Sequence, residues 1–328
     1  MKFILIITNR YDSHADCMIK KFWERGVSFL RFNTDDYPRT NKITFNLDTK
    51  KEDILFYFNK QSITNKDILS VWLRRPLSPG ISKEITNPDA RVFAKDESKA
   101  FLENLWNVLD CLWVSPPRSI KIAQYKLLQL QIAKKIGFKV PKTIVTNKIE
   151  DFLRFWNECN GEVIYKTLGK NQIPSQKKKG MYRLIYTNKI KDVDLNKIIE
   201  EIELAPCLFQ EYIPKKIELR VTIVDSEIFT CEIHSQKSEK TRIDWRKYDF
   251  ENTPHIASKL PKDIEEKCIE LIDFYNLKFG AIDLILTPQD EYVFLELNPN
   301  GQWLWIEQLT GLPISEALFR LLTKEVKI

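Results

Sequence analysis

Apolar and polar positions change period several times along the chain, and each change predicts an element. KFILIIT (Lys2 to Thr8) is short and β-branched, as a strand is, whereas in HADCMIKKFWERG the residues Ala15, Met18, Ile19, Phe22 and Trp23 recur at helical spacing and stop at Gly26. VSFLRFN returns to a strand. This strand, helix, strand opening predicts an α/β N-terminal domain. Further strands are predicted at ITFNLD and ILFYFN, and SVWLRRP is a strand halted by Pro76. From Asp89 to Leu112 the positions Phe93, Phe101, Leu102, Leu105, Trp106 and Leu109 predict one long amphipathic helix. SPPRSI breaks the pattern. A second helix is then expected from Ser119, as N-cap, to Gly137, as C-cap.

The first domain boundary falls near Ser115, so residues 1–115 are expected to form the N-terminal domain, 116–205 a central domain and 206–328 a C-terminal domain. The central part reads as strands at TIVT and GEVIYKTLG around a helix from Asp151 to Asn157, followed by a lysine-rich loop, GKNQIPSQKKKG, from Gly169 to Gly180. CLFQEYIPKKIELRVTIVDSEIFTCEIHSQ reads as strands with a turn at Asp225-Ser226. The last elements are a helix from Pro261 to Tyr275, the strands GAIDLILT and EYVFLELN, and a helix from Ile314 to Thr323. No internal repeat interrupts this α/β and α+β order.

Composition narrows the function. The 328 residues carry 51 Lys+Arg against 45 Asp+Glu, a mild basic excess that suits a nucleotide or an acidic peptide and does not call for nucleic acid. The 6 cysteines (Cys17, Cys111, Cys159, Cys207, Cys231, Cys268) lack CxxC spacing and read as reduced thiols of a cytosolic protein. No apolar run is long enough for a membrane span or a secretion signal. Walker and Rossmann phosphate loops and zinc spacings are absent, and His14, His234 and His255 are dispersed.

The chemistry gathers at the last hairpin. If Gln289-Asp290 is a two-residue loop, Pro288 pairs with Glu291 and Asp283 falls opposite Glu296, with Asn298 on the same face as Glu296. Opposed acids repel unless a cation joins them, and two carboxylates with an amide suit Mg²⁺; an edge hairpin with its acids in water is the alternative. Lys166 interrupts the apolar VIYKTL, and Lys126 sits on an otherwise apolar helix, either to meet phosphates or to snorkel. In LFQEYIP a strand ends at Pro214, where backbone groups can bond an adenine edge beside Glu211. Glu218 could take ribose hydroxyls, and Arg220 on the same face could clamp a phosphate or carboxylate. Arg242, Asp244, Trp245 and Arg246 form either a solvated charged loop or a basic grip on an acidic peptide. Arg74 and Arg75 adjoin on a strand, so they point to opposite faces, toward solvent, a domain interface or a peptide.

Taken in order, Lys126, Lys166, QEYI, ELR, Asp283 and ELNPN resemble the ATP-grasp fold. VWLRRP, DWRKY and LELNPNGQWLWIEQLTGLPI further resemble the ATP-grasp ligases that mature graspetides, the microviridin-type ribosomal peptides. The resemblance implies an N-terminal pre-ATP-grasp domain, a central domain and a C-terminal ATP-grasp domain, with ATP and Mg²⁺ between the last two. It also implies roles: Asp283, Glu296 and Asn298 as Mg²⁺ ligands; Lys126 and Lys166 on the ATP phosphates; Gln210, Glu211, Tyr212 and Ile213 at adenine; Glu218 at ribose; Arg220 and Lys166 in catalysis. Substrate-peptide candidates are Arg74, Arg75, His234, Arg242, Asp244, Trp245, Arg246 and Asn300. The implied reaction phosphorylates an Asp or Glu of a precursor peptide, which a Ser/Thr hydroxyl or Lys amine then attacks. A helical leader would dock on the central domain, near Arg183 to Leu204 or the Asp225 turn, and a homodimer is expected. Two alternatives remain: a ligase adding a free amino acid, and a silent leader-binding protein. Trp303, Trp305 and Ile306 are expected to anchor the segment after Pro299 and Gly301 in the core, or a Trp to face the peptide.

Overall fold

The strand β1 (Phe3–Thr8) is buried from Ile4 onward, with Leu5 and Ile7 in one hydrophobic core and Ile4 and Ile6 in another. Burial on both faces is what makes an interior parallel strand read as continuous apolar sequence. The computed structural model describes residues 2–49, 52–58, 61–169, 171–174 and 181–324. After β1 come α1 (Ser13–Glu24), capped by the Asp12 carboxylate, and β2 (Phe29–Asn33). The strands β3 (Lys42–Leu47), β4 (Glu52–Phe58) and β5 (Gln61–Thr64) form a separate antiparallel meander before β6 (Ile68–Leu73), α2 (Pro88–Val108) and β7 (Leu112–Val114). The parallel sheet runs β2-β1-β6-β7. The helix expected to reach Leu112 therefore ends at Val108, because Leu112 to Val114 pair with Ser70 to Trp72; tertiary pairing overrides the helical spacing.

The helix expected from Ser119 to Gly137 is two helices, α3 (Pro117–Ala123) and α4 (Lys126–Ile136). Ser119 lies inside the first, while Gly137 caps the second with a left-handed φ of 99°. The central sheet, ordered β12-β9-β13-β8, comprises β8 (Thr143–Thr146), β9 (Val163–Lys166), β12 (Asn188–Lys189) and β13 (Cys207–Glu211). It packs on α5 (Ile149–Glu158) and α6 (Leu195–Glu201) through a core of its own around Phe152, Trp156 and Phe209. From the stretch read as a loop, β10 (Gln172–Pro174) pairs with β11 (Tyr182–Leu184); residues 170 and 175–180, with all 4 of its lysines, lie outside the described residues.

The C-terminal sheet is antiparallel in the order β16-β15-β14-β17-β18. Its strands are β14 (Ile217–Val224), β15 (Glu227–Ile233), β16 (His255–Ser258), β17 (Phe279–Leu286) and β18 (Tyr292–Asn298). One face covers α4 and α7 (Lys262–Phe274) through Leu219, Ile223, Leu284, Phe294 and Leu271. The other meets α8 (Leu304–Thr310) and α9 (Ile314–Leu322) at one end and opens as a cleft toward the central sheet at the other. Among the described residues, no helix is long and apolar enough to cross a membrane.

Candidate active site

One row of side chains crosses the C-terminal sheet. Glu296 on β18 opposes Asp283 on β17, which opposes Arg220 on β14, then Cys231 on β15 and Ala257 on β16. The Asp283 to Glu296 pairing is the expected one, but the hairpin reaches it differently. The turn is longer than Gln289-Asp290: the Thr287 N–H donates to the Glu291 carbonyl, and Leu286 pairs with Tyr292, one residue off the expected register. A bulge between Phe294 and Glu296 restores the register at the acids. It also turns Leu295 and Glu296 together toward the cleft while Phe294 and Leu297 enter the core.

The opposed acids are embedded in positive charge. Arg220 Nη1 donates to both oxygens of Asp283, at 2.8 and 2.9 Å, and Lys126 Nζ stands 3.9 Å from Glu296. Burial pushes the Asp283 carboxyl up to about 6, with Arg220 opposing and Glu296 adding to the rise. Burial acts the same way on Glu296, but Lys126, Arg246 and Lys166 outweigh it and hold this carboxyl below its ordinary range. Asn298 Nδ2 bridges the two acids, 3.1 Å from Glu296 and 3.4 Å from Asp283. A half-turn of this amide would exchange its nitrogen for its oxygen with no change of shape, giving three oxygen donors that fit a hard divalent cation.

Three features fix this row, and one of them, Gln129, carried no sequence signal. Gln129 on α4, 3% exposed, donates to and accepts from the backbone of Leu297, pinning the edge strand between Glu296 and Asn298. Arg74, 2% exposed, donates through Nη1 to the Asn300 carbonyl. Gly301 is required by close approach: a Cβ there would lie 2.4 Å from Ala281 Cβ and 2.7 Å from Arg220 Nη2. Trp303 and Ile306 are fully buried beyond it, as the anchoring reading expects, whereas Trp305 is half-buried and stacks on Trp245.

A cleft opens over the row. Lys126, Lys166, Gln210, Glu211, Tyr212, Ile213, Glu218, Asp283 and Glu296 all line it. Lys126 Nζ donates to the Thr167 carbonyl, and burial lowers the Lys166 ammonium to about 8 against the pull of Glu296. Gln210 Oε1 and Glu218 Oε2 are buried acceptors without a partner among the described residues, as a site for a donor-rich ligand requires. Two adenine contacts need correction. The Tyr212 N–H is already taken by the Glu162 carbonyl, and Glu211 Oε1 accepts from the Lys142 N–H. Lys215, which the sequence reading missed, bonds Glu218 Oε1 at 2.8 Å and lines the cleft. Its only signal was its place three residues before Glu218.

The peptide candidates separate. Trp245 and Arg246 line the cleft; Asp244 does too, but its oxygens are filled by Arg246 and the Thr187 N–H, so it fastens the arginine instead of greeting a peptide. Arg74 and Asn300 bond each other in the interior, which removes Arg74 as a peptide contact and leaves it an interface residue. Arg75 is exposed, Arg242 is exposed away from the cleft lining, and His234 pairs with Glu232 at 3.2 Å.

A parallel-sheet domain, a small central sheet and an antiparallel sheet with acids on its last hairpin, facing lysines across a cleft, define the ATP-grasp fold. Residues 3–121 match the family described as the MvdD pre-ATP grasp domain. A RiPP-associated ATP-grasp ligase of Chryseobacterium gregarium, solved with ADP and a leader and core peptide, superposes with a TM-score of 0.90 at 32% identity, over 99% of this chain and 98% of that one. Macrocyclase MdnC of Microcystis aeruginosa, solved with its precursor peptide MdnA, gives 0.86 at 30% identity over 98% and 100%. MdnB of the same organism gives 0.80 at 30% over 98% and 99%. No curated protein matches the sequence. The chain belongs to the RiPP-associated ATP-grasp ligases that include the microviridin-type macrocyclases, and it is an ATP-dependent ligase.

Proposed function

We propose that this ligase is a graspetide synthetase, which phosphorylates Asp or Glu side chains of a ribosomal precursor peptide and joins them to Ser/Thr hydroxyls as esters or Lys amines as amides. The observation that carries the reading is the row Glu296, Asp283, Arg220 beneath Lys126, Lys166 and Arg246, in a cleft whose free acceptors suit a nucleoside. The peptides in the Chryseobacterium ligase and in MdnC support a precursor peptide as partner, and the ADP in the former supports ATP as cosubstrate.

In this reading Lys126 and Lys166 hold the ATP phosphates, Gln210 and the Ile213 backbone hold adenine, with the Tyr212 N–H and Glu211 Oε1 kept in the protein's own bonds, and Glu218, steadied by Lys215, holds ribose. Asp283, Glu296 and Asn298 would hold Mg²⁺, which neutralises charge on the phosphoryl oxygens. Arg220 adds positive charge beside the transferred phosphoryl, and Arg246 draws the peptide carboxylate in. That carboxylate attacks the γ-phosphorus and releases ADP. The peptide's own hydroxyl or amine then displaces phosphate, aided by intramolecular positioning worth up to roughly 7–11 kcal/mol.

Exposed Ile173, Tyr182, Leu184, Val193 and Leu204 on the central domain support leader docking there. The six unpaired thiols support a reducing compartment, and we assign the cytoplasm. The family likeness supports a homodimer, which light scattering tests. The reading itself is tested by incubating enzyme, MgATP and a precursor peptide from a neighbouring reading frame. Loss of one water per ADP formed is expected. A gain of an amino-acid residue would establish the free-amino-acid ligase instead, and binding with no product the silent leader-binding protein.

A further inference from the structure

Beside the cleft, five aromatic side chains close a circuit. Trp245 meets Tyr248 with ring centroids 6.0 Å apart, Tyr248 meets Phe250 at 5.2 Å, Phe250 meets His255 at 5.7 Å, His255 meets Trp305 at 5.4 Å, and Trp305 returns to Trp245 at 5.1 Å. Three of them lie in the connection between β15 and β16, one opens β16 and one is on α8. The floor is buried Cys231 and Ile233, the latter paired with His255.

The cluster is not ordinary core. Tyr248 is 40% and Phe250 48% exposed, and these two are stacked at 24°. Tyr248 also adopts a left-handed φ of 42°, unusual for a bulky residue and of the kind found at ligand clamps. The circuit is continuous with the cleft, because Trp245 lines both.

We propose that this aromatic circuit is a substrate subsite that takes one large apolar side chain, aromatic or branched aliphatic, of the acidic peptide. The inference rests on the peptide ligase reading and deepens it. Arg220 on β14 is in line with Ala257 on β16, two strand spacings away, and His255 lies two residues further along β16, so the two stand about 12 Å apart, a span an extended peptide covers in about three to four residues. The subsite therefore reads a position about three to four residues from the reacting carboxylate. A lysine side chain is a poorer occupant, because seating it among these rings strips water from its ammonium, and the loop's aspartates are already engaged: Asp244 is taken by Arg246 and Asp249 by Ser238 and Asn252. Burial lowers His255, so the ring it contributes is neutral at pH 7.

The test uses fluorescein-labelled peptides with one Glu in a Gly/Ser/Thr background and Trp, Lys or Gly three residues to either side. Binding is read by anisotropy with MgADP, and turnover by ADP release with MgATP. In one of the two placements the Trp peptide should bind about tenfold tighter than Gly, with Lys no better than Gly. In the full-length Tyr248→Ala/Phe250→Ala variant this ratio should fall to below about twofold. Should the double variant fail to fold, Phe250→Ala alone serves. Equal binding of Trp and Gly in both placements, a preference for Lys, or a ratio unmoved by the variant overturns the subsite. Trp-selective binding with no ADP released from any peptide sustains it and overturns the graspetide-synthetase reading.

Discussion

The two sheets that share the cleft differ in how they are held. Every residue of β14 and all but the last of β17 are buried, whereas β8 is half-buried throughout and β9 and β13 are buried only in part. The buried sheet carries Arg220, Asp283 and Glu296, charges that must stay fixed without water. The lighter sheet carries Lys166 and the strand end at Glu211, which can follow a nucleotide. Charge preorganisation sits where burial is deepest. The largest expected effect follows at Glu296→Gln, which keeps the shape and removes the charge: peptide-dependent ADP formation should fall about a thousandfold, or about 4 kcal/mol. Turnover within about tenfold of the parent would break the assignment of the metal row.

A matched pair of cavities separates the sheets next. Phe294, fully buried against Phe138, belongs to the large core, and Phe152, fully buried 4.6 Å from Phe209, to the small one. Truncation to Ala should cost about 3–5 kcal/mol at either place. Phe294→Ala should lower the main unfolding transition, while Phe152→Ala should melt the central sheet ahead of the rest. Hydrogen exchange reads this residue by residue. A single shared transition in both variants would mean that the two sheets unfold as one.

How much of this was legible follows the same divide. The apolar strands on either side of the turn at Asp225 announced themselves by pattern, and the order from Lys126 to Asn298 announced the fold. Asp283 was matched to Glu296 through a loop that does not exist, and only the bulge at Leu295 made the pairing true. Bulges leave no periodic trace. Gln129 was invisible as a site residue because it acts through backbone far away in sequence, on Leu297, and Arg74, expected at an interface or a peptide, gave no sign of its bond to the Asn300 carbonyl. Lys215 was hidden for the opposite reason, one lysine among many near the surface whose burial only the fold reveals.

A smaller effect tests the lighter sheet. Because burial lowers Lys166 to about 8, its charge is present at pH 7 and is lost as pH rises through that value. Phosphate binding would restore the proton, so MgATP affinity should be flat below about pH 7.5 and fall by up to about tenfold per pH unit above about 8. Lys166→Arg should flatten the profile, as titration calorimetry can check. An identical decline in that variant would assign the titration elsewhere.

The smallest effect separates surface pairing from burial. Glu316 on α9 accepts from Lys21 of α1 and from Arg25, which caps that helix, at 2.7 to 3.0 Å, joining the N-terminal domain to the helix behind the buried sheet. The Arg25 hydrogen bond, opposed by burial and helped by Lys21, holds the Glu316 carboxyl at about 2, below its ordinary 4.5. A depressed acid stabilises the fold above its unfolded pKa, and that contribution disappears as pH falls through the folded one. Glu316→Gln should therefore lower stability by about 1 kcal/mol at pH 7, since partly exposed pairs are screened. The gap between parent and variant should stay constant down to about pH 5 and close between 4.5 and 2. Urea melts at pH 7 and pH 3 measure both ends. A loss matching that of Phe294→Ala would show that the domains are held by this ion pair more than by the apolar contact of Phe22 with Phe319 beneath it.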